Sequence, residues 1–202
     1  DIDHGTYPFV TSSNTVSANA CSGTGVGPTR IHQIVGIVKA YTTRVGGGPF
    51  VTELKDEIGE RIQTAGHEYG ATTGRKRRCG WLDMMLVRQS VRVSGISGLA
   101  ITKLDVLAGI EKLKICTGYK AGGKTFTDAV PSNLRVLEKC EPVYVELDGW
   151  TEDITRAEKM SDLPANARKY LDKIAELAGV PLYLVSVGPG RDETIVLTNP
   201  FD

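Results

Sequence analysis

GLAITKLDVL, residues 98–107, begins with the apolar run GLAI, which gives way to the polar residues of TKLD. A short run of this kind, without polar alternation, is typical of a parallel strand that is buried on both faces. In open α/β sheets, ligands bind beyond the carboxyl ends of such strands, which is where TKLD, residues 102–105, lies. A carboxylate there can accept two hydrogen bonds from the N1–H and the amino group of guanine, a donor pair that adenine lacks. The stretch therefore predicts an α/β fold with Asp105 as a candidate guanine contact.

The tetrapeptide TKLD resembles the N/TKxD guanine-specificity motif of GTP-binding proteins. The Lys103 stem can lie along a base while its ammonium stays in water. Asp105 also fits a second interpretation, as the cap of a helix formed by the VLAGI that follows. The loop SVGPGR, residues 186–191, follows the strand PLYLV. It is either a simple turn or, beside TKLD, the other side of a base pocket.

The rest of the chain interleaves predicted strands and helices, which indicates a mainly parallel sheet flanked by helices, with an added β-hairpin. Residues 29–44, TRIHQIVGIVKAYTTR, place four branched apolar residues at helical spacing and predict a helix. Residues 5–28 are rich in Gly, Ser, Thr and Asn and predict a loop. Further helices are predicted over 54–70, 81–95 and 163–179, and further strands over 142–150, 181–190 and 193–199.

GYKAGGKT, residues 118–125, matches the phosphate-loop pattern G-x-x-x-x-G-K-[ST]. A phosphate loop needs a helix after it, because the helix N-terminus faces the anion. Here KTFTDAV favours a strand, and Pro131 leaves no room for a helix of useful length. The preferred prediction is a β-hairpin that turns at AGG. The alternative is a non-catalytic GTP- or nucleotide-binding module that uses residues 118–125 as a true phosphate loop.

GATTGRKRRCGW, residues 70–81, carries four consecutive cations, from Arg75 to Arg78, after two threonines and between glycines. Glycines let a backbone approach a ligand closely, arginine forks bind carboxylate or phosphate at two points, and threonine hydroxyls add neutral donors. A compact polyanion fits such a loop, although charge runs are often solvated surface loops. RNA binding is disfavoured, because the run lacks aromatic stacking partners and the chain has no net charge.

The composition is that of an ordinary globular chain, with 41% hydrophobic and 24% charged residues. The four cysteines form no C-x-x-C pair and lie at no ligand spacing from a histidine, which argues against zinc and for reduced thiols in a cytoplasmic protein. Cys79, after the basic run, is expected to be an unreactive small residue. No apolar run is long enough to span a bilayer. The chain does not begin with Met, so we expect preceding residues in the native protein.

Several segments together resemble the C-terminal half of adenylosuccinate synthetase, an enzyme family of purine biosynthesis. They are DHGTYPFVTSSNT, GIVKAYTTRVGGGPF, TEL, GATTGRKRRCGWLD, GLAITKLDVL, and GPGRDETI with NPFD, in the order of the family and over nearly all 202 residues. The resemblance implies a fold like that of P-loop GTPases. It also implies a cytoplasmic, homodimeric carbon–nitrogen ligase, which couples IMP and L-aspartate to adenylosuccinate while GTP is hydrolysed to GDP and phosphate.

The resemblance also implies roles for individual residues at matching positions. The residues implied to contact IMP are Thr11, Val45 and Arg75. The residues implied to contact GTP are Arg77, Lys103, Leu104, Asp105, Ser186, Val187 and Gly188. The residues implied to form the loop that closes on aspartate are Ala71, Thr72, Thr73, Gly74, Arg75, Lys76 and Arg77.

By the same resemblance, no catalytic residue and no metal ligand lies in this chain. The family's phosphate loop, its catalytic aspartate, the Mg²⁺ ligands and the general-acid histidine belong near the N-terminus of the complete enzyme. His4 is not that histidine, because HGTYPF matches another part of the family. Residues 1–202 are therefore expected to be a C-terminal portion, inactive by itself, in which Arg75 and Asp105 face one shared cavity.

Overall fold

The computed structural model describes residues 4–70 and 74–201, and strands and helices alternate through both ranges. The strands in these residues are β1 (Val35–Lys39), β2 (Thr42–Arg44), β3 (Arg78–Gly80), β4 (Leu82–Asp83), β5 (Gly98–Thr102), β6 (Lys112–Ala121), β7 (Lys124–Phe126), β8 (Glu141–Asp148), β9 (Leu182–Ser186) and β10 (Thr194–Val196). The α-helices there are α1 (Ala18–Thr24), α2 (Glu57–Ala65), α3 (Met84–Ser94), α4 (Leu134–Leu137) and α5 (Ala165–Ala178). Short 3-10 turns lie at Pro28–Arg30, Asp105–Leu107 and Met160–Asp162.

The main sheet is built around β5, the apolar strand GLAIT, whose first four residues are buried. Its strand order is β1-β5-β9-β10, in which β1 and β9 run parallel to β5 and β10 is antiparallel. Because β1, β5 and β9 are parallel, their carboxyl ends meet at one edge, where Lys39 lies opposite Thr102. The α/β prediction is confirmed, with mixed sheets flanked by helices.

The predicted helix over residues 29–44 is wrong, because this segment forms β1 and β2. Its branched residues from Val35 onward pair with β5 instead, beginning with Val35 opposite Gly98, while Ile31 and Ile34 precede the strand. Branched side chains pack well on a pleated surface, so pairing with a distant strand overrides the local helical spacing. His32 accordingly lies in the irregular segment before β1 and not on a helix. The predicted loop over residues 5–28 contains one short helix, α1.

Residues 118–125 form a β-hairpin, as predicted. β6 and β7 pair antiparallel with Ala121 opposite Lys124, and Gly122 and Gly123 turn the chain with φ values of 55° and 74°. The helix that a phosphate loop requires does not follow, since β7 is extended and the next helix, α4, has only four residues. The hairpin belongs to a second sheet, in which β6 also pairs with β4 and β8.

The remaining predicted elements are confirmed as α2, α3, α5, β8, β9 and β10. α3 begins where the Asp83 side chain accepts a hydrogen bond from the Met85 N–H, and α5 ends at Gly179 in the left-handed conformation. The Tyr170 hydroxyl donates to the Ala40 carbonyl at 2.7 Å, which ties α5 to the end of β1. Within residues 4–70 and 74–201, no helix combines the length and hydropathy that a membrane crossing needs.

Candidate functional site at the carboxyl edge of the main sheet

The chain leaves β5 through Lys103, whose φ of 64° lies in the left-handed region that few non-glycine residues adopt. Its ammonium donates a hydrogen bond to the Gly66 carbonyl, at 3.1 Å, just beyond the end of α2. Leu104 is fully buried beneath this turn. Asp105 is the first residue of the 3-10 turn that follows. The helix that Asp105 was expected to cap is therefore only this three-residue turn.

Asp105 is half-buried at the strand end. Burial raises the pKa of its carboxyl, and the nearby Glu193 charge adds to the rise, while the N–H groups of Asp105 and Val106 and the Lys103 charge act in the opposite direction. A carboxylate in such a partly dry setting forms stronger hydrogen bonds than it would in bulk water. The setting of Asp105 therefore suits a side chain that recognises a ligand by hydrogen bonding.

The loop after β9 is a tight turn that is held closed by hydrogen bonds between its own residues. The Ser186 hydroxyl donates to the Gly188 carbonyl at 2.8 Å, and the buried Val187 donates its N–H to the Glu193 carbonyl at 2.9 Å. The Glu193 carboxylate accepts from the Gly190 N–H and would lie 2.5 Å from a Cβ added at Gly188. Because Ile101 of β5 pairs with Val185 of β9, this turn and the Asp105 turn leave neighbouring strands.

A buried carboxylate, Glu68, connects the sheet edge with the basic run. Its two oxygens accept hydrogen bonds from the Lys39 ammonium at 2.7 and 2.8 Å. The Tyr41 hydroxyl donates to Oε1 at 2.7 Å, and Arg77 Nη1 donates to Oε2 at 2.8 Å. We call these four residues the Glu68 cluster. Their side chains come from the end of β1, from the segment after α2 and from the basic run.

Electrostatics keep the Glu68 carboxyl ionised. Burial acts to raise the pKa of Glu68, but the hydrogen bonds from Lys39, Tyr41 and Arg77 outweigh it and hold the pKa below its usual range. Burial and the Glu68 charge raise the pKa of the neighbouring Cys79 thiol to about 11. Cys79 is therefore the unreactive residue that was predicted, despite the cations before it in the sequence.

The basic run begins beside residues 69 and 70, to which backbone hydrogen bonds join it. Gly70 donates its N–H to the Arg75 carbonyl, and Gly74, with a φ of 63°, donates to the Gly70 carbonyl, both at 2.8 Å. Tyr69 and Lys76 form an isolated antiparallel bridge. Arg75 and Lys76 are exposed beside this stem. The predicted aspartate contacts Ala71, Thr72 and Thr73 lie outside the described residues.

Arg78 points to a different carboxylate from Arg77. Its Nε and Nη2 donate to the two oxygens of Glu53 at 2.6 and 2.7 Å, and its Nη1 donates to the carbonyls of Gly46 and Gly48. This arrangement, the Arg78 clamp, fixes the turn that carries the exposed Val45. The run RKRR is therefore not one open patch of four charges, because Arg77 and Arg78 each hold an internal carboxylate.

A second arginine ties the N-terminal segment to the same turn. Arg44 donates to the Thr6 hydroxyl at 2.7 Å, to the Phe9 carbonyl at 3.2 Å and to the Gly47 carbonyl at 2.9 Å. The exposed Thr11 follows shortly after in the chain. The predicted residues thus form two groups. Arg77, Lys103–Asp105 and Ser186–Gly188 lie at the sheet edge, whereas Val45 lies in the turn held by the Arg78 clamp and Thr11 follows the segment that Arg44 ties to that turn.

Sequence reasoning missed the carboxylates that organise the site. Glu68 stands in no motif, and although Glu53 and Glu193 lie in the segments TEL and GPGRDETI, the sequence assigns a role to neither. The partners of Glu53 and Glu68 come from other segments of the chain. Residues 4–70 and 74–201 contain no group of three or more His, Cys, Asp or Glu side chains that could hold a metal ion. A cleft of about 220 Å³ lies beside Arg77 and Arg78, while larger clefts of about 590 and 440 Å³ flank the open edge of β1.

Comparison with known proteins gives one consistent result. The sequence model of the family described as adenylosuccinate synthetase matches residues 1–195. Adenylosuccinate synthetases of Syntrophus aciditrophicus and Geobacter sulfurreducens are 65% and 58% identical over 201 residues, which is 100% of this chain and 46% of each relative. The chain therefore spans about half the length of the curated relatives it matches.

Solved structures agree with the sequence comparison. The fully ligated adenylosuccinate synthetase of Plasmodium falciparum superposes with a TM-score of 0.94 at 42% identity, over 97% of this chain and 47% of that one. The cyanophage S-2L succinoaminodeoxyadenylate synthetase, at 14% identity and a TM-score of 0.54 over 96% of this chain and 42% of that one, shows a likeness of fold alone. The chain belongs to the adenylosuccinate synthetase family.

Proposed function

We propose that residues 1–202 are the C-terminal portion of a GTP-dependent carbon–nitrogen ligase of purine (AMP) biosynthesis. The complete enzyme would couple IMP and L-aspartate to adenylosuccinate, while GTP is hydrolysed to GDP and phosphate. Family membership over residues 1–195 supports this proposal. The observation that carries it is the placement of Lys103 and Asp105 at the carboxyl end of β5, beside the loop after β9 and the Arg77 end of the basic run.

In this proposal, the Asp105 carboxylate accepts hydrogen bonds from the N1–H and amino group of guanine. The Lys103 stem lies along the base, and Leu104 supports the turn from below. The loop Ser186, Val187 and Gly188 covers the other face of the base. Its closure by Glu193 supports this role, because a turn that is already ordered loses little entropy when a ligand binds.

The basic run would hold the anionic substrates. Arginine forks suit both carboxylate and phosphate, so Arg75 is assigned to IMP and aspartate, and Arg77 to aspartate and GTP. Thr11 and Val45 are assigned to IMP. The residues assigned to the loop that closes on aspartate are Ala71, Thr72, Thr73, Gly74, Arg75, Lys76 and Arg77. Arg75 and Asp105 are proposed to face one shared cavity.

Phosphoryl transfer would depend on groups in the part of the relatives that this chain does not span. Mg²⁺, when bound, would neutralise charge on the transferred phosphoryl group. By the family resemblance, its ligands are assigned to that other part of the enzyme. We infer that the 202-residue chain alone is catalytically silent, and that the complete enzyme is a cytoplasmic homodimer.

A hybrid enzyme tests the function. The 202 residues replace the matching 201 residues of the Syntrophus aciditrophicus relative, and adenylosuccinate formation and GDP release are measured with IMP, aspartate, GTP and Mg²⁺. We expect turnover well above background from the hybrid and none from the 202-residue chain by itself. A folded but inactive hybrid would contradict the proposed function, and turnover by the chain alone would contradict its silence.

Two substitutions in the hybrid separate this function from a phosphate loop at residues 118–125. Asp105→Asn should reduce the preference for GTP over ITP by roughly tenfold or more, because the paired hydrogen bonds to guanine are lost. Lys124→Ala should leave GTP affinity unchanged, since Lys124 is exposed on the hairpin and no helix follows it. A collapse of GTP affinity in the Lys124 variant would favour the nucleotide-binding module instead.

A further inference from the structure

The Glu68 cluster pairs one carboxylate with two cations, and the three side chains differ in exposure. The Glu68 side chain is 1% exposed, whereas those of Lys39 and Arg77 are 27% and 31% exposed. A buried carboxylate that loses all its cations is strongly disfavoured, because its charge is then uncompensated. With two cations, one of them can leave while the other remains.

The two cations are held differently. The Lys39 ammonium also donates to the Thr43 hydroxyl at 3.1 Å and lies 5.8 Å from the centre of the Tyr41 ring. The Arg77 side chain contacts the cluster through Nη1, one of the three nitrogens that carry the five N–H donors of its guanidinium. Lys39 is therefore fixed by several partners, while part of the Arg77 fork reaches solvent.

The Arg77 backbone stays in place independently of its side chain. Its N–H donates to the Glu68 carbonyl at 2.9 Å, and its carbonyl accepts from Gln63 Nε2 at 2.7 Å. Rotation of the guanidinium away from Glu68 would therefore not require the Arg77 backbone to move. The geometry allows a side-chain exchange on a rigid backbone.

We propose that Glu68 is a positioning residue with two cationic partners, Lys39 and Arg77, either of which can neutralise its charge. It holds Arg77 at the sheet edge when no substrate is present, and Arg77 moves to an anionic group of the substrate while Lys39 keeps the carboxylate paired. This inference rests on the proposed function, in which Arg77 meets aspartate and GTP. Lys39 thereby sets how readily Arg77 is released.

Lys39→Met and Glu68→Gln should act on different kinetic constants in the hybrid enzyme. Without Lys39, Arg77 is the last cation on Glu68 and is retained there, so the KM for aspartate or GTP should rise about tenfold with kcat nearly unchanged. Without the Glu68 charge, Arg77 is unheld, so kcat should fall about tenfold with little change in KM. Lys39→Arg should restore the parent constants.

Lys139→Met is the matched control, because it removes an exposed lysine outside the site. It should leave both constants unchanged. A purely structural cluster predicts a different pattern, in which Lys39→Met lowers the urea midpoint of unfolding but moves neither KM. That pattern would overturn the proposal.

A second measurement does not depend on activity. The rotation of the Arg77 guanidinium can be followed by ¹⁵N NMR in the 202-residue chain, with Arg77→Lys used to assign the signal. Rotation should be slowest in Lys39→Met, intermediate in the parent and fastest in Glu68→Gln. Equal rates in all three would overturn the proposal, whereas an inactive parent hybrid with the expected order would count against the proposed function and leave the cluster supported.

Discussion

Two carboxylates of this chain are almost equally buried, and yet folding shifts their pKa values in opposite directions. Glu68, at the carboxyl edge of the main sheet, and Asp83, at the end of β4 in the second sheet, are 0% and 2% exposed. Each accepts a hydrogen bond from a tyrosine, Glu68 from Tyr41 at 2.7 Å and Asp83 from Tyr119 at 2.6 Å. Burial and a tyrosine are therefore common to both regions.

The cations make the difference. Burial raises the pKa of Asp83 to about 6, because its hydrogen bonds with Tyr119 and the Met85 N–H and the more distant Arg88 charge only partly oppose it. The pKa of Glu68 is lowered, because Lys39 and Arg77 donate to it directly. Of two buried acids, the one with contacting cations has its pKa lowered and has two partners to exchange, while the other has its pKa raised and caps α3.

The largest expected effect comes from removing the Glu68 charge. Glu68→Gln should destabilise the chain by about 3–4 kcal/mol at pH 7, because two cations lose their buried partner. A carboxyl whose pKa is lowered by folding contributes stability above its unfolded pKa, about 4.3, and loses it as the pH falls. Urea unfolding of both proteins from pH 7 to about pH 2.5 measures the difference, which should stay constant above pH ~4.3 and shrink below it. A constant difference would contradict the assignment.

Asp83→Asn should give the opposite dependence on pH. Folding raises the Asp83 pKa to about 6, so its contribution is complete below the unfolded pKa and is lost as the pH rises through about 6. Between pH 4 and pH 7 the parent should lose about 2–3 kcal/mol of unfolding free energy relative to the variant. Urea unfolding across this range measures it, with Tyr119→Phe as a control that keeps the carboxyl. No change in the difference with pH would contradict the prediction.

A smaller effect is expected at the Arg78 clamp. The Glu53 side chain is 15% exposed and that of Arg78 is 29% exposed, so water screens their pairing in part. The Arg78 hydrogen bond holds the pKa of Glu53 below its usual range. Glu53→Gln should cost about 1–2 kcal/mol at pH 7, measured by urea unfolding. A loss of unfolding free energy as large as that of Glu68→Gln would show that side-chain exposure does not determine how much each ion pair contributes to stability.

The smallest effect is expected for Asp148, which pairs with Lys112 at 2.6 Å across β6 and β8. Both side chains are more than half exposed. Exposed pairs contribute little, because water and salt screen them. Asp148→Asn should leave the unfolding midpoint in urea unchanged within error. A measurable loss would mean that a short distance matters more than burial.

The sequence predicts the elements whose cause is local. The hairpin turn depends on Gly122 and Gly123, and α5 depends on its own apolar stripe and on Gly179. The buried strand β5 is also evident, because a strand covered on both faces is apolar throughout. Residues 29–44 fail for the opposite reason, since their structure is decided by pairing with β5 and not by their own spacing.

The candidate site divides in the same way. Asp105 and the loop from Ser186 can be predicted, because each directly follows a recognisable strand. Glu68 cannot, because its partners Lys39 and Tyr41 come from the predicted helix that is in fact a strand. The internal pairing of Arg77 and Arg78 cannot be predicted from the basic run either, since only the fold brings Glu68 and Glu53 to these two cations.

The left-handed backbone at Lys103 has a consequence for engineering. Glycine would adopt its φ of 64° without the steric penalty of about 1–2 kcal/mol that other L-residues incur there. A redesign guided only by thermostability would therefore replace this lysine, and would discard the side-chain stem proposed to lie along the base. At this position, robustness and molecular recognition are competing objectives.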